Sequence, residues 1–281
     1  MTTGDKHLND QHPRENHPKQ GHEEPYSPPR SGQIVSKRLS FLICGAQKSG
    51  TTALAAYLRQ HPLIHLPEKK ELHFFDDETQ AWPEPDLTAL HHHFQTADSD
   101  QIWGEATPIS LYWDPTAERI WRYNPAMRLI VILRNPIERA YSHWAMEHRR
   151  GNDLLPFALA LEQEEKRCLE ALPQQHRIFS YVDRGFYSAQ LRRLWRFFGR
   201  NQVLVLRQEE LRVSPQTCLE RIWKHLSIPP GPAITALTRH SGHYDSAMAP
   251  DCRERLRKIF WHEISQLEYM LGWNCSDWLR S

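Results

Sequence analysis

The chain has 281 residues, and its 35 Lys and Arg side chains nearly balance its 34 Asp and Glu side chains, for a net charge of +1. That length suits one large domain or two small ones, and the charge excludes a protein coated in positive charge for nucleic acid. No apolar run approaches the roughly 18 residues that a membrane span needs. The first residues lack the apolar segment of a signal peptide, and the five cysteines form no CxxC pair. Together these features indicate a reducing, cytoplasmic compartment.

The first 37 residues hold five prolines, scattered charges and almost no aliphatic side chains. Such a segment buries too little apolar surface to offset the entropy of ordering. The sequence therefore predicts a disordered N-terminal leader over residues 1–37 and one folded domain over residues 38–281.

From residue 38 onward, apolar runs typical of buried strands alternate with stretches of helical periodicity. Strands are predicted over residues 39–44, 102–105, 128–133 and 202–206. Helices are predicted over residues 51–60, 115–124, 136–148, 187–198, 215–226 and 251–271. Residues 78–100 are predicted to form a polar surface loop. Alternating strands and helices predict an α/β fold with a mainly parallel sheet.

A glycine-rich loop, GAQKSGTT over residues 45–52, separates the first predicted strand from the first predicted helix. Gly45 and Gly50 let the backbone approach an anion closely, and a helix N-terminus presents free N–H groups with a partial positive charge. Lys48 adds a mobile cation, and Thr51 and Thr52 add hydroxyl donors. The pattern predicts a phosphate-binding loop, and a tight strand-to-helix turn without a ligand is the alternative.

The spacing of this loop differs from that of a nucleotide-triphosphatase loop, in which a lysine directly follows the second glycine. Here Thr51 occupies that place, and the lysine lies inside the loop. The strand over residues 128–133 is followed by Arg134, whereas such enzymes carry an acidic magnesium ligand there. We therefore expect a phosphate-type anion without a triphosphate–magnesium arrangement.

Three motifs together resemble those of sulfotransferases that use 3′-phosphoadenosine 5′-phosphosulfate (PAPS). GAQKSGTT resembles their 5′-phosphosulfate loop, and LRNPIERAYS over residues 133–142 resembles their 3′-phosphate motif, an Arg and a Ser eight residues apart. ELHFFD over residues 71–76 is similar to a segment of the heparan sulfate 3-O-sulfotransferase and N-sulfotransferase-like branch. The resemblance implies a soluble, bacterial-type member with a three-layer fold, in which a P-loop-like parallel sheet is flanked by helices.

The resemblance also implies roles for individual residues. Lys48 and Glu71 are the candidate catalytic residues: Lys48 at the bridging oxygen of the donor, and Glu71 as the base that takes the acceptor's proton. Contacts to PAPS are implied for Gly45, Lys48, Ser49, Gly50, Thr51, Thr52, Arg134 and Ser142. His73 and Tyr187 are candidate contacts to the acceptor substrate, and His73 is also a second candidate base. Sulfuryl transfer needs no metal ion, and none is predicted.

Several of these assignments have a structural alternative. Arg134 at a strand end could form only a surface salt bridge, and Ser142 could lie on a helix flank without a ligand. Glu71 lies in a charged run, where a carboxylate is usually solvated or paired with a neighbouring lysine. The resemblance favours the functional interpretation of all three.

The sequence also departs from the heparan-type pattern. The E-K-T-P segment of that branch reads EATP over residues 105–108, with Ala106 in place of the lysine. In that branch a segment late in the sequence covers the nucleotide as a lid, and residues 239–243 resemble that segment only weakly. Cys252 and Cys275 do not match its late cysteine pair. These differences leave the acceptor open.

We therefore predict a sulfotransferase that moves a sulfuryl group from PAPS to a hydroxyl or amine acceptor by in-line displacement. A carbohydrate or a small metabolite is the expected acceptor, with no nucleic acid and no membrane span among the partners. Two other functions stay open: a P-loop small-molecule kinase, and a non-catalytic relative that only binds a nucleotide.

Overall fold

The computed structural model describes residues 37–82, 84–235 and 246–280, together with Met1. Two predictions concern other parts of the chain. The disordered leader predicted over residues 1–37 lies outside the described residues apart from its two ends. The candidate lid over residues 239–243 lies outside them altogether.

A parallel sheet of five strands lies at the centre of the described domain. The strands are β1 (Leu39–Gly45), β2 (Ile64–His65), β3 (Ile102–Ala106), β4 (Arg128–Leu133) and β5 (Val203–Arg207). Their spatial order is β2-β3-β1-β4-β5, and every neighbouring pair is parallel. The central strand, β1, and its neighbour β4 are nearly continuous apolar runs, as strands buried on both faces require.

Helices connect the strands and cover the sheet. They are α1 (Thr51–Leu58), α2 (Thr88–His92), α3 (Thr116–Tyr123), α4 (Pro136–Arg149), α5 (Phe157–Glu170), α6 (Tyr187–Phe197), α7 (Gln208–Val213), α8 (Pro215–Leu226), α9 (Pro250–Leu271) and α10 (Ser276–Arg280). Single turns of 3₁₀-helix add Pro108–Leu111, Asp183–Gly185 and Arg200–Gln202.

Side chains of the strands alternate between two apolar layers. On one face, Phe41 and Ile43 of β1 pack with Leu54 of α1 and Ile222 of α8. On the other face, Leu42 of β1 belongs to a larger cluster built mainly with α3, α4, α6 and α9. The predicted α/β fold, a parallel sheet flanked by helices, is confirmed.

Some elements differ from the sequence prediction. α2 lies within residues 78–100, which were predicted to be a loop; Asp86 Oδ1 accepts a hydrogen bond from the Thr88 N–H at 2.8 Å, and Leu90 and Phe94 are buried beneath the helix. α5, α7 and α10 lie in stretches for which no element was predicted. α1 ends at Leu58, two residues before its predicted end.

The carboxyl ends of β1, β3 and β4 meet at one edge of the sheet because these adjacent strands are parallel. The segments that follow them, after Gly45, Ala106 and Leu133, therefore lie side by side. In open α/β sheets this edge is where ligands bind. Within the described ranges, no helix is long and apolar enough to cross a membrane.

Candidate active site

The predicted phosphate loop leaves the central strand and leads directly into α1. Lys48 and Gly50 adopt left-handed φ angles of 70° and 96°, which fold the loop back so that the Ser49 N–H donates to the Ala46 carbonyl at 3.2 Å. No side chain of the described residues caps the N-terminus of α1, so N–H groups of its first turn remain available to an anion. Gly45 has no room for a side chain, because a Cβ there would lie 2.4 Å from Leu111 Cβ.

Lys48 lies half-buried among other cations. Burial lowers the pKa of its ammonium, the charges of Arg149, Arg134 and Arg150 lower it further, and Glu147 offsets only part of this, so that the pKa is about 8. Crowded positive charge disfavours the protonated amine, and a bound anion would reverse the effect. The loop therefore has the electrostatics of an anion site.

Arg134 follows β4 and contacts the loop directly. Its Nη1 donates to the Lys48 carbonyl at 3.3 Å, while Nη2 lies 3.9 Å from Glu138 Oε2. The hydroxyl of Tyr187 donates to the Arg134 carbonyl at 3.0 Å. The guanidinium is thus held at the same sheet edge as Lys48, and its salt-bridge distance to Glu138 is long.

Tyr187 is fully buried at the start of α6, and burial raises the pKa of its phenol to about 12. Its hydroxyl donates a hydrogen bond to the carbonyl of Arg134. Tyr187, the predicted acceptor contact, thus donates its hydroxyl to the residue that follows β4, beside the phosphate loop.

Ser142 lies on α4, two turns after Arg134, and is 5 % exposed. Asn135 begins this helix, since its Oδ1 accepts a hydrogen bond from the Ile137 N–H at 3.0 Å. Between the described residues, no direct hydrogen bond joins Ser142 to Arg134. The structure places the two residues on one strand-to-helix junction, Arg134 directly after β4 and Ser142 on α4.

The carboxylate candidate lies in a segment, residues 71–74, that belongs to neither a helix nor a strand. Glu71 and His73 both have left-handed φ angles, 59° and 57°, which are uncommon for residues with a side chain. Glu71 Oε1 lies 2.6 Å from Lys70 Nζ, and Oε2 lies 3.7 Å from His73 Nε2. The lysine pairing that the sequence left as an alternative is therefore present, and the second carboxylate oxygen faces His73.

Two backbone N–H groups of this segment donate hydrogen bonds to residues at the end of β3. The Glu71 N–H donates to the Ala106 carbonyl at 3.2 Å, and the Leu72 N–H donates to Glu105 Oε1 at 3.1 Å. Thr107 Oγ1 also donates to Glu105 Oε1, at 2.5 Å. Burial raises the pKa of the Glu105 carboxyl to about 7, although both hydrogen bonds act to lower it. Glu105 was not among the predicted site residues, because its contact with Leu72 joins residues 33 positions apart.

The buried carboxylate of Asp76 supports the His73 side chain through a hydrogen bond. Asp76 Oδ2 accepts hydrogen bonds from His73 Nδ1 at 2.9 Å and from Arg177 Nη1 at 2.7 Å. Burial alone would raise the pKa of Asp76, but these two partners outweigh it and hold the pKa below its usual value. The bond to Asp76 raises the pKa of the His73 imidazole. The three-residue spacing of His73 and Asp76 was visible in the sequence, whereas Arg177 is 101 residues away from Asp76.

The predicted residues thus form two groups at one sheet edge. The first group is the loop with Arg134 and Tyr187, which are in mutual contact. The second is Glu71 with His73, supported by Asp76. No direct hydrogen bond between the described residues joins Glu71 to Lys48, and the connection runs through other side chains.

A family model described as "Sulfotransferase domain" matches residues 39–243. Among curated proteins, the chain is 25 % identical to a bifunctional heparan sulfate N-deacetylase/N-sulfotransferase 1 from Xenopus laevis, over 92 % of this chain and 33 % of that protein. It is 26 % identical to a heparan sulfate glucosamine 3-O-sulfotransferase 5 from Mus musculus, over 67 % of this chain and 53 % of that protein. The chain therefore spans about a third to about half of the length of these curated relatives.

A solved structure has a similar fold over most of the chain. The sulfotransferase from Alicyclobacillus acidocaldarius superposes with a TM-score of 0.75 and 29 % sequence identity, and the match covers 86 % of this chain and 99 % of that one.

Proposed function

The chain belongs to the sulfotransferase family, and from this premise we propose that it transfers a sulfuryl group from PAPS to a hydroxyl or amine acceptor. The proposal rests on how the residues are arranged at the sheet edge. The loop with Lys48 and the guanidinium of Arg134 follow adjacent strands, and Glu71 is hydrogen-bonded to the end of β3 at the same sheet edge. An anion site and a carboxylate able to accept a proton thus share one edge.

The residues at this edge suit the two phosphate groups of such a donor. Lys48, Thr51 and the N–H groups that begin α1 would hold the 5′-phosphosulfate; Ser49, Thr52 and the two loop glycines would complete that site. Arg134 and Ser142 would hold the 3′-phosphate, because a guanidinium binds phosphate oxygens bidentately. The pKa of Lys48 is lowered first by burial and then by nearby arginines that Glu147 only partly offsets, and this excess of positive charge supports the assignment.

Transfer would be an in-line displacement. A bond forms between the acceptor atom and sulfur while the bond from sulfur to the phosphate oxygen breaks, and the electron pair of that bond stays with the phosphate oxygen. Lys48 would stabilise the charge that grows on this oxygen. Glu71 would take the proton that the acceptor loses, through the carboxylate oxygen that faces His73 rather than the one that is paired with Lys70.

A small-molecule kinase is the less suitable alternative. Thr51 occupies the position of the kinase-type loop lysine. Arg134 follows β4, where a carboxylate would be needed for magnesium. The third option, a relative that binds nucleotide without turnover, is distinguished from an enzyme only by an activity measurement.

The acceptor class rests on the relatives. The names of the relatives from Xenopus laevis and Mus musculus refer to heparan sulfate, so a carbohydrate hydroxyl or amine is the first class to test and small metabolites are the second. Ala106 stands where the heparan-type segment carries a lysine, which argues for an acceptor different from that of those relatives.

The proposed compartment is the cytoplasm. All five cysteines are free, which fits a reducing environment.

A labelled-transfer assay tests the proposed function. The purified chain is incubated with ³⁵S-labelled PAPS and a panel of desulfated glycosaminoglycans, simple sugars, phenols and extracts of the source cells. We expect label in at least one acceptor, no dependence on magnesium, and loss of transfer in Lys48→Ala. A parallel reaction with γ-³²P-labelled ATP and magnesium tests the kinase. Labelled phosphate in the acceptor would replace our proposal, and nucleotide binding without transfer to any acceptor would favour the non-catalytic relative.

A further inference from the structure

A buried arginine connects the phosphate loop to the segment that holds Glu71. Arg184 lies in the 3₁₀ turn Asp183–Gly185 and is 2 % exposed. Its Nη1 donates to Gln47 Oε1 of the loop at 2.6 Å, and its Nη2 donates to the Arg177 carbonyl at 2.6 Å. The third nitrogen, Nε, donates to Ser180 Oγ at 2.8 Å. One guanidinium therefore fixes three separate points of the chain.

The connection continues from Arg177 to the reactive carboxylate. Arg177 contacts Asp76 twice, through Nη1 to the carboxylate at 2.7 Å and through Nη2 to the backbone carbonyl. Asp76, which is fully buried, accepts from His73 Nδ1, and His73 Nε2 faces Glu71 at 3.7 Å. These contacts form an unbroken series between the two halves of the site.

The segment with Glu71 needs such support. Both Glu71 and His73 have left-handed backbone angles, which are unfavourable for residues with a Cβ and persist only where surrounding contacts impose them. The hydrogen bonds to β3, which pairs with β1, hold the backbone of the segment relative to the strand that precedes the loop. The bonds through Arg184 and Arg177 add a second connection, which reaches the loop itself at Gln47.

A role in fold stability alone explains Arg184 poorly. All three of its hydrogen-bond partners are neutral oxygens, and burying a guanidinium with neutral partners costs free energy that an apolar side chain would not cost. The ring of Tyr112, 4.6 Å below the guanidinium, stabilises the cation only in part. What an apolar residue could not do is bind Gln47 and the Arg177 carbonyl at the same time.

We propose that Arg184 is a positioning residue, which holds the loop carrying Lys48 at a fixed distance from the segment carrying Glu71. The inference rests on the proposed sulfuryl transfer, because in-line displacement requires donor, acceptor and base to be aligned, and a misplacement of about 1 Å can cost about 10²-fold in rate. In this proposal Arg184 acts through Gln47 and Arg177 rather than on the donor or the acceptor.

The first test is hydrogen exchange, which needs no acceptor. Arg184→Gln is compared with wild type and with Arg167→Gln, which removes a partly buried arginine that pairs with Asp153 at 2.8 Å and does not contact the loop. We expect amides of residues 71–77 to exchange at least about tenfold faster in Arg184→Gln, and at the wild-type rate in Arg167→Gln. If Arg184→Gln does not fold, Gln47→Leu removes the loop contact alone and is expected to have the same effect. Unchanged exchange in the folded variant would overturn the inference.

The second test separates turnover from binding. Arg184→Gln should lower kcat about 10- to 100-fold while the dissociation constant for adenosine 3′,5′-bisphosphate (PAP) changes less than about threefold. Gln47→Leu and Arg177→Gln break the same connection at two points, Gln47 at the loop and Arg177 at Asp76, so the double variant should lose no more activity than the worse single variant. If the loss of activity in the double variant equals the product of the two single losses, Gln47 and Arg177 do not act as one connected unit. An active wild type with an equally active Arg184→Gln overturns this inference alone, whereas a wild type that transfers no sulfate overturns the proposed function and the inference with it.

Discussion

Lys48 makes the proposed donor site sensitive to pH. In the free protein its pKa is lowered to about 8 by burial and by nearby arginines, so the ammonium is lost as the pH rises through that value. We expect kcat/KM for PAPS to fall above about pH 8, because kcat/KM reports the free enzyme. The fall in kcat should occur at higher pH, because bound phosphates favour the protonated amine.

The measurement is a pair of pH profiles from pH 6 to pH 10 for wild type and Lys48→Arg. A guanidinium keeps its charge over this whole range, so the variant should lack the alkaline fall in kcat/KM. If the fall in kcat/KM at alkaline pH is identical in both proteins, a group other than Lys48 causes it.

Arg134 should discriminate between nucleotides. Arg134→Ala is expected to weaken binding of PAP by about tenfold to a hundredfold, since a charge-assisted contact contributes about 1.5–3 kcal/mol. Binding of adenosine 5′-phosphate should change little, because it lacks the 3′-phosphate. Calorimetric titration with both nucleotides measures the difference.

Arg128→Ala is the control for this variant, because it removes an arginine from the opposite end of the same strand, where it donates to the Asn201 carbonyl at 3.0 Å. Equal losses for the two nucleotides in Arg134→Ala would contradict a contact to the 3′-phosphate.

At the scale of single residues, the sequence predicted which side chains lie at the sheet edge but not what holds them. Lys48, Arg134 and Glu71 each belong to a local motif. Their supports come from distant parts of the chain: Arg177 is 101 residues from Asp76, and Arg184 is 137 residues from Gln47. Spacing within a motif carries no information on such contacts.

The helix that follows Arg134 depends on its cap. Asn135 accepts from the Ile137 N–H at 3.0 Å and donates from Nδ2 to the Trp278 carbonyl at 2.9 Å, which also ties α10 to this corner. Asn135→Ala should lower the free energy of unfolding by about 1–2 kcal/mol. Asn135→Ser keeps an acceptor for the cap and should lose less. Urea denaturation measures both, and an unfolding free energy of Asn135→Ala within about 0.3 kcal/mol of wild type would show that the cap is unimportant.

At the scale of elements, strong local signals were sufficient for β1, β4, α4 and α9. β1 and β4 are continuous apolar runs, and the start of α4 is encoded by Asn135 and Pro136 together. α2 could not be predicted in this way, because five residues, three of them histidine or threonine, have little helical preference of their own. Burial of Leu90 and Phe94 stabilises it, and burial is a tertiary property.

For the whole molecule, buried carboxyl groups should make stability depend on pH. Burial raises the pKa of both Glu105 and Glu164 to about 7, so the folded state binds more protons than the unfolded state does. That contribution is fully present below the unfolded pKa and is lost as the pH rises through about 7. The contribution of each carboxyl to the free energy of unfolding should therefore fall by about 1 kcal/mol between about pH 6.5 and pH 8.

Histidines whose pKa values burial lowers, among them His143 and His225, act in the opposite direction, and they are common to wild type and Glu105→Gln. Urea unfolding of wild type and Glu105→Gln at pH 6.5 and pH 8 gives the contribution of Glu105 by difference. The amide retains an oxygen for Leu72 and Thr107, so a slope equal to that of wild type would show that Glu105 does not titrate in this range.

The proposal that the anion site and the base act on one reaction is tested most directly by Glu71→Gln, in single-turnover transfer at saturating PAPS. The amide keeps the size of the carboxylate but cannot accept a proton at neutral pH. We expect unchanged affinity for PAP and a loss of transfer rate of about 10²–10⁴-fold. A variant that keeps more than about a tenth of the wild-type rate would mean that Glu71 only pairs with Lys70 and that the base lies elsewhere.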